Sequence, residues 1–107
     1  MKIIALAKYN ESAWKDMIGS SYAERRKVME SVVNSAGATL TDMMFTRGQY
    51  DIVVTFDVPS EDVALGAAIA VNASGAIKDL VTLSEIDIDN ALKTAKSVAG
   101  AYTPPGT

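Results

Sequence analysis

The chain has 107 residues, 49% hydrophobic and 21% charged, with 10 basic against 13 acidic side chains and a net charge of −3. That is one globular domain, too small to divide into two cores, and its acidity disfavours sequence-independent binding to nucleic acid. It has no Cys and no His, which excludes a disulfide, a thiolate nucleophile, a thiolate or imidazole metal site, a haem on a proximal His and a His-based proton relay built from this chain.

The longest apolar run, Val63 to Val71, is too short to cross a bilayer, and the stretch between Lys2 and Lys8 is too short for a signal-peptide core. The expectation is a cytoplasmic protein with no membrane partner.

Lys2 to Tyr9 sets Ile4, Leu6 and Lys8 against Ile3, Ala5, Ala7 and Tyr9. Both sets are mostly apolar, which predicts a strand covered on both faces. Helices of the same chain supply one cover, and the other has to come from a second copy. Asn10 to Gly19 is irregular or a short helical turn capped by Asn10, with Trp14, Met17 and Ile18 at helical spacing. Trp14 is either a hydrophobic plug over one end of the core or an aromatic wall of a pocket.

Ser21-x-x-Glu24 is a capping box and starts a helix with an apolar stripe of Tyr22, Met29, Val32 or Val33, and Ala36, ended by Gly37. Arg25 or Arg26 falls on the gap in this stripe. Such an Arg either snorkels at the edge of the buried face or looks into a cavity as an anion-binding group, and Arg26 is carried as the candidate.

Ala38 to Thr46 reads as a strand, with Met43 and Phe45 on one face and Leu40 and Met44 on the other. Gly48-Gln49 then predicts a two-residue type II′ hairpin turn, after which Tyr50 and Asp51 open the next strand. Tyr50, Ile52, Val54 and Phe56 share one face of it, and Asp51, Val53, Thr55 and Asp57 the other. Ser60 caps a small, apolar helix that is expected to be buried on more than one side. Ala76 to Glu85 is the last strand, with Ile77, Val81 and Leu83 opposite Leu80 and Thr82. Asp87 caps a final helix striped by Ile88, Ala91 or Leu92, Ala95, and Val98 or Ala99, and stopped by Gly100. Residues 1–100 form the domain. Residues 101–107, with Pro104-Pro105, form an extended tail.

The order β-α-β-β-α-β with an extra C-terminal helix is the ferredoxin-like α+β plan. One sheet face stays bare yet apolar, which predicts a homodimer closed sheet to sheet as a dimeric α/β barrel.

Gly48-x-Tyr50-Asp51 followed by Ile52-Val53-Val54, the apolar first strand, the acidic helix start after Pro59, and Gly75-x-Ile77 leading to Thr82-Leu83 resemble the GYD-domain family over most of the chain. The chain departs from that family at Asn10-Glu11-Ser12-Ala13, where relatives tend to carry a Thr and a Gly. The same ordered set is similar to the ligand-sensing half of Lrp/AsnC-type regulators. That resemblance implies a dimeric barrel that binds amino acids near subunit interfaces. The chain carries no helix-turn-helix half, so a DNA-binding regulator is not expected.

Two functions follow. The first is an oligomeric small-molecule binding or sensing protein, its ligand at the dimer interface or between sheet and helices. Tyr50, Asp51 and Arg47 would line the site, with Tyr9, Trp14 and Arg26 as further candidates and Asp51 accepting a hydrogen bond from the ligand. The competing reading of the motif is structural: Gly48 turns the chain, Tyr50 packs, and Asp51 pairs with Arg47 or caps local N–H groups. The second function is a cofactor-free enzyme acting on a small apolar or aromatic metabolite, with Asp51, Asp57, Glu85 or a Lys as base. A third alternative is a purely structural oligomer. No cofactor or metal is expected.

Overall fold

Across the described residues 1–106 of the computed structural model, four strands and four helices follow in chain order. They are β1 (Lys2–Tyr9), α1 (Glu11–Met17), α2 (Tyr22–Ser35), β2 (Thr39–Phe45), β3 (Ile52–Asp57), α3 (Glu61–Ala73), β4 (Ile77–Ser84) and α4 (Ile88–Ala101). Each helix begins where its side-chain cap does. Asn10 accepts the Ala13 N–H, Ser21 that of Glu24, Ser60 that of Val63 and Asp87 that of Asn90. The Ser21 box is only half formed, because the Glu24 carboxylate accepts from the Ser20 hydroxyl at 3.0 Å.

The strands make one antiparallel sheet in the order β2-β3-β1-β4. With α2 and α3 on one face, this is the ferredoxin-like α+β fold. The period of two along β1 and β3 sends Ile3, Ala7, Tyr9, Ile52, Val54 and Phe56 to the covered face. There they meet Met43 of β2, Val33 of α2 and Ala64 of α3 in one core.

Among the described residues nothing covers the opposite face. Ile4 (39% exposed), Met44 (47%) and Leu83 (53%) lie on it with the half-buried Leu6, Val53 and Val81. The register makes them neighbours: Ile4 stands opposite Leu83, Leu6 opposite Val53 and Val81, and Met44 opposite Val53.

Several local expectations are corrected. The β2–β3 connection is not a two-residue turn, because β2 stops at Phe45 and β3 starts at Ile52. Thr46 closes the hairpin instead, its N–H on the Asp51 carbonyl at 2.8 Å and its hydroxyl on the Tyr50 carbonyl at 2.7 Å. The first bond is one further backbone rung in the same register, and the second fixes the loop between Thr46 and Asp51. Gly48 does take a positive φ, +138°, far from the value near +60° of a type II′ turn.

Two irregularities in the register also reverse side-chain parity. One, between Leu40 and Asp42, puts Leu40 against the core beside Met43 and Phe45 rather than opposite them. The other pairs Lys8 with Asp79 but Tyr9 with Ile77, so Ile77 joins Leu80 on the core and Lys78 is the extra residue. Of α3, only Ala64 is buried, and Leu65 and Ile69 are about 60% exposed.

α4 also departs from expectation. It runs through Gly100 to Ala101, and every residue from Thr82 to Gly106 is exposed. The molecule measures 63 × 30 × 23 Å with a radius of gyration of 18.2 Å, against about 13 Å for a compact chain of this length. A 14-residue helix adds roughly 21 Å of length. α4 therefore projects from the domain instead of packing on it. Of the expected tail, Tyr102 to Gly106 follow the helix, and Thr107 lies outside the described residues.

Candidate functional site

The Gly48-Gln49-Tyr50-Asp51 loop lies at the end of the sheet where β1 gives way to α1. Asp51 is the residue that ties it down. Its N–H donates to the Ala7 carbonyl at 2.9 Å, and its carboxylate Oδ2 accepts the Tyr9 N–H at 2.9 Å. The last β1–β3 partners are Ala7 and Ile52. Beyond them a side-chain oxygen takes the place of a ladder carbonyl. Asn10 secures the other side, its N–H on the Ala76 carbonyl at 3.1 Å and its side-chain amide on the Gly75 carbonyl.

Aromatic rings extend from this corner. Trp14 meets Tyr9 edge to face with centroids 5.6 Å apart, Tyr9 stacks on Phe45 at 6.5 Å, and Phe45 meets Tyr22 edge to face at 6.3 Å. An open dish of about 610 Å³ is lined here by Lys8, Tyr9, Asn10, Glu11, Ser12, Trp14, Asp51 and Lys78.

The more enclosed concavity lies elsewhere. α2 and α3 stand apart over the sheet and leave a cleft of about 340 Å³. Its floor comes from Ala5 and Ala7 of β1, Ile52 and Val54 of β3, and Leu80 and Thr82 of β4. Val28, Met29 and Val32 wall one side, and Ala67, Ala68 and Val71 the other. Small side chains on β1 and α3 leave the space that larger ones would fill. Arg25 lines this cleft and is its one charged residue.

The candidate residues are thus divided. Tyr9, Trp14 and Asp51 come together around the dish, and Tyr9 reaches the cleft as well. Arg47 and Tyr50 line neither space. Among the described residues Arg47 has no acidic partner in an ion pair, and the Asp51 carboxylate accepts not a local N–H but that of Tyr9, 42 residues away in the chain. Arg26 faces outward. Its Nε contacts the Glu30 carboxylate at 3.1 Å, and its Nη1 donates to the Tyr22 hydroxyl at 3.0 Å. The Tyr22 hydroxyl first, then Glu30, holds the Arg26 guanidinium above its ordinary pKa.

The cleft cation is therefore Arg25, not Arg26. The stripe left both open, and Glu30, four residues beyond Arg26, was the signal that could have separated them. The alanines of α3 do not bury that helix on several sides but bound a space.

These features define a ferredoxin-like α+β domain with one apolar, helix-walled cleft over its sheet. The profile of the GYD domain family matches residues 3–95, and the chain belongs to that family. No curated protein matches it in sequence. Among solved structures it is similar to the crystal structure of FFRP-DM1, at 15% identity and a TM-score of 0.50, over 79% of this chain and 97% of that one. At that identity the likeness concerns the fold.

Proposed function

We propose that the protein binds a small, largely apolar molecule in the cleft between α2, α3 and the sheet, and does so as a homo-oligomer. The cleft carries this reading. Protein interiors rarely keep voids larger than a water molecule. Ligand sites are concave, mostly apolar and carry few polar groups, which describes this cleft of about 340 Å³. A thermal-shift screen of metabolites tests it. A specific ligand at about 100 times its Kd stabilises the fold by about 2.7 kcal/mol. Amide shifts in NMR spectra should then cluster at Ala7, Val32, Ala67 and Leu80. Ligands that stabilise the protein while shifting only residues around Trp14 would move the site to the dish. A screen with no stabilising compound rejects the binding role.

The oligomer rests on the uncovered faces. Ile4, Leu6, Met44, Val53, Val81 and Leu83 form one continuous apolar patch on the sheet. On α4, Ile88, Ala91, Leu92, Ala95, Val98, Ala99 and Tyr102 recur at the three- and four-residue spacing of a single face. A free 14-residue helix is marginal in water, and α4 gains no cover from its own domain. A second copy supplies it: sheet packs on sheet, and each α4 lies along its neighbour.

Binding is favoured over catalysis because a base is missing from the cleft. No Asp, Glu or Lys lines it. Asp51 is engaged with the Tyr9 N–H, Glu85 accepts the Lys2 N–H at 3.0 Å, and Asp57 is exposed at the end of β3.

A further inference from the structure

Arg25 is the charged residue of an otherwise apolar cleft, and its own bonding is incomplete. Its Nε is buried, with no hydrogen-bond partner among the described residues. Among those residues the one ion pair of the chain belongs to its neighbour, Arg26 with Glu30. Buried polar groups are nearly always satisfied, so an orphaned guanidinium nitrogen needs an explanation. A guanidinium presents a planar fork of donors that matches a carboxylate or a phosphate, and a single cation in an otherwise apolar cleft suits the singly charged carboxylate. The opposite wall offers it no acid: α3 contributes alanines and Val71, with Ser74 at its end, and the floor beneath is apolar apart from Thr82 and the phenol of Tyr9.

We propose that the cleft ligand is an apolar monocarboxylate, its carboxylate on Arg25 and its hydrocarbon body between Val32 and Ala67 over Leu80. This rests on the binding role given above and names the chemical class that fills the site. The body contributes through burial of apolar area and is indifferent to the head group. The head group is read by Arg25 alone. A neutral analogue of equal length keeps the first contribution and loses the second.

The two contributions separate in one experiment. Octanoate and octan-1-ol are titrated into the full-length protein, with Kd taken from amide shifts, for the unaltered protein, Arg25→Met and Arg26→Met. Methionine keeps an unbranched apolar stem at Arg25, and the outward Arg26 is the charge-matched control. Octanoate should bind the unaltered protein at the cleft, roughly tenfold or more tighter than octan-1-ol, as one charge-assisted hydrogen-bonded pair requires. Arg25→Met should erase that preference, and Arg26→Met should keep it. Equal affinities for the two probes in the unaltered protein, with shifts at the cleft, would overturn the carboxylate assignment and leave the binding role standing. So would a preference for octanoate that survives Arg25→Met. No shift at the cleft with either probe up to millimolar concentration, together with an empty metabolite screen, would overturn both. Cleft shifts that appear on raising protein concentration without any probe would assign the space to a segment of a second copy and overturn the small-ligand occupant.

Discussion

The Asp51 carboxylate accepts the Tyr9 N–H at 2.9 Å and extends the pairing of β1 with β3 past the last backbone pair. One residue of the Gly-x-Tyr-Asp loop thereby holds the strand end that carries Tyr9 into both concavities. Asp51→Ala leaves that N–H without its acceptor and should cost about 1–3 kcal/mol. Asp51→Asn keeps an acceptor oxygen and should cost less. Urea denaturation of the two variants with unchanged m-values measures the difference. Equal losses would assign the effect to the charge instead of the acceptor.

Gly48 has φ +138°, and a Cβ there would meet no atom within 4 Å. The penalty of a larger residue is therefore backbone strain and not a clash. Gly48→Val should lower stability by about 1–3 kcal/mol, while Gln49→Ala should leave it nearly unchanged. Coincident denaturation midpoints would show that the loop relaxes without cost.

Filling the cleft should separate stability from binding. Ala67 lines it on the α3 side. Ala67→Leu should bury apolar atoms now missing from the space, raise stability by about 1–2 kcal/mol and abolish octanoate binding. A destabilised variant that still binds would place the ligand outside the cleft.

The sheet patch predicts at least a dimer at micromolar concentration. Leu83 faces Ile4 across the β1–β4 ladder and is 53% exposed. Leu83→Lys places a charge within the sheet-to-sheet contact, on its edge strand β4, and should shift the mass in sedimentation to that of a monomer, with circular dichroism preserved. A monomer mass for the unaltered protein would dismiss the contact.

α4 adds a second test of assembly. Among the described residues, removal of everything after Glu85 takes away only exposed side chains, so the sheet, α2 and α3 should persist while association weakens or the oligomer becomes smaller. Truncation after Gly100 removes Tyr102, which shares a stripe with Val98 and is 62% exposed. It should have the same effect to a lesser degree. An unchanged mass and melting temperature across a dilution series would mean that α4 serves no contact.

Much of this protein is determined locally, and local features are what a sequence displays. Asn10, Ser21, Ser60 and Asp87 cap helices because each oxygen reaches an N–H three residues on. Ile52, Val54 and Phe56 share a buried face because strand side chains alternate. The element order and the family follow from such signals taken together. What tertiary structure alone decided depends on residues far apart in the chain. The Asp51 carboxylate chose Tyr9, 42 residues away, because the end of β1 left an N–H unpaired. Irregularities between paired strands turned Leu40 and Ile77 onto the core, and pairing registers leave no mark within one strand. The choice of Arg25 over Arg26 for the cleft is different in kind, because Tyr22 and Glu30, which hold Arg26 outside, lie four residues to either side of it and are legible in the sequence. The cleft itself exists because α2 and α3 rest on different strands of a sheet too wide for small side chains to fill the gap between them.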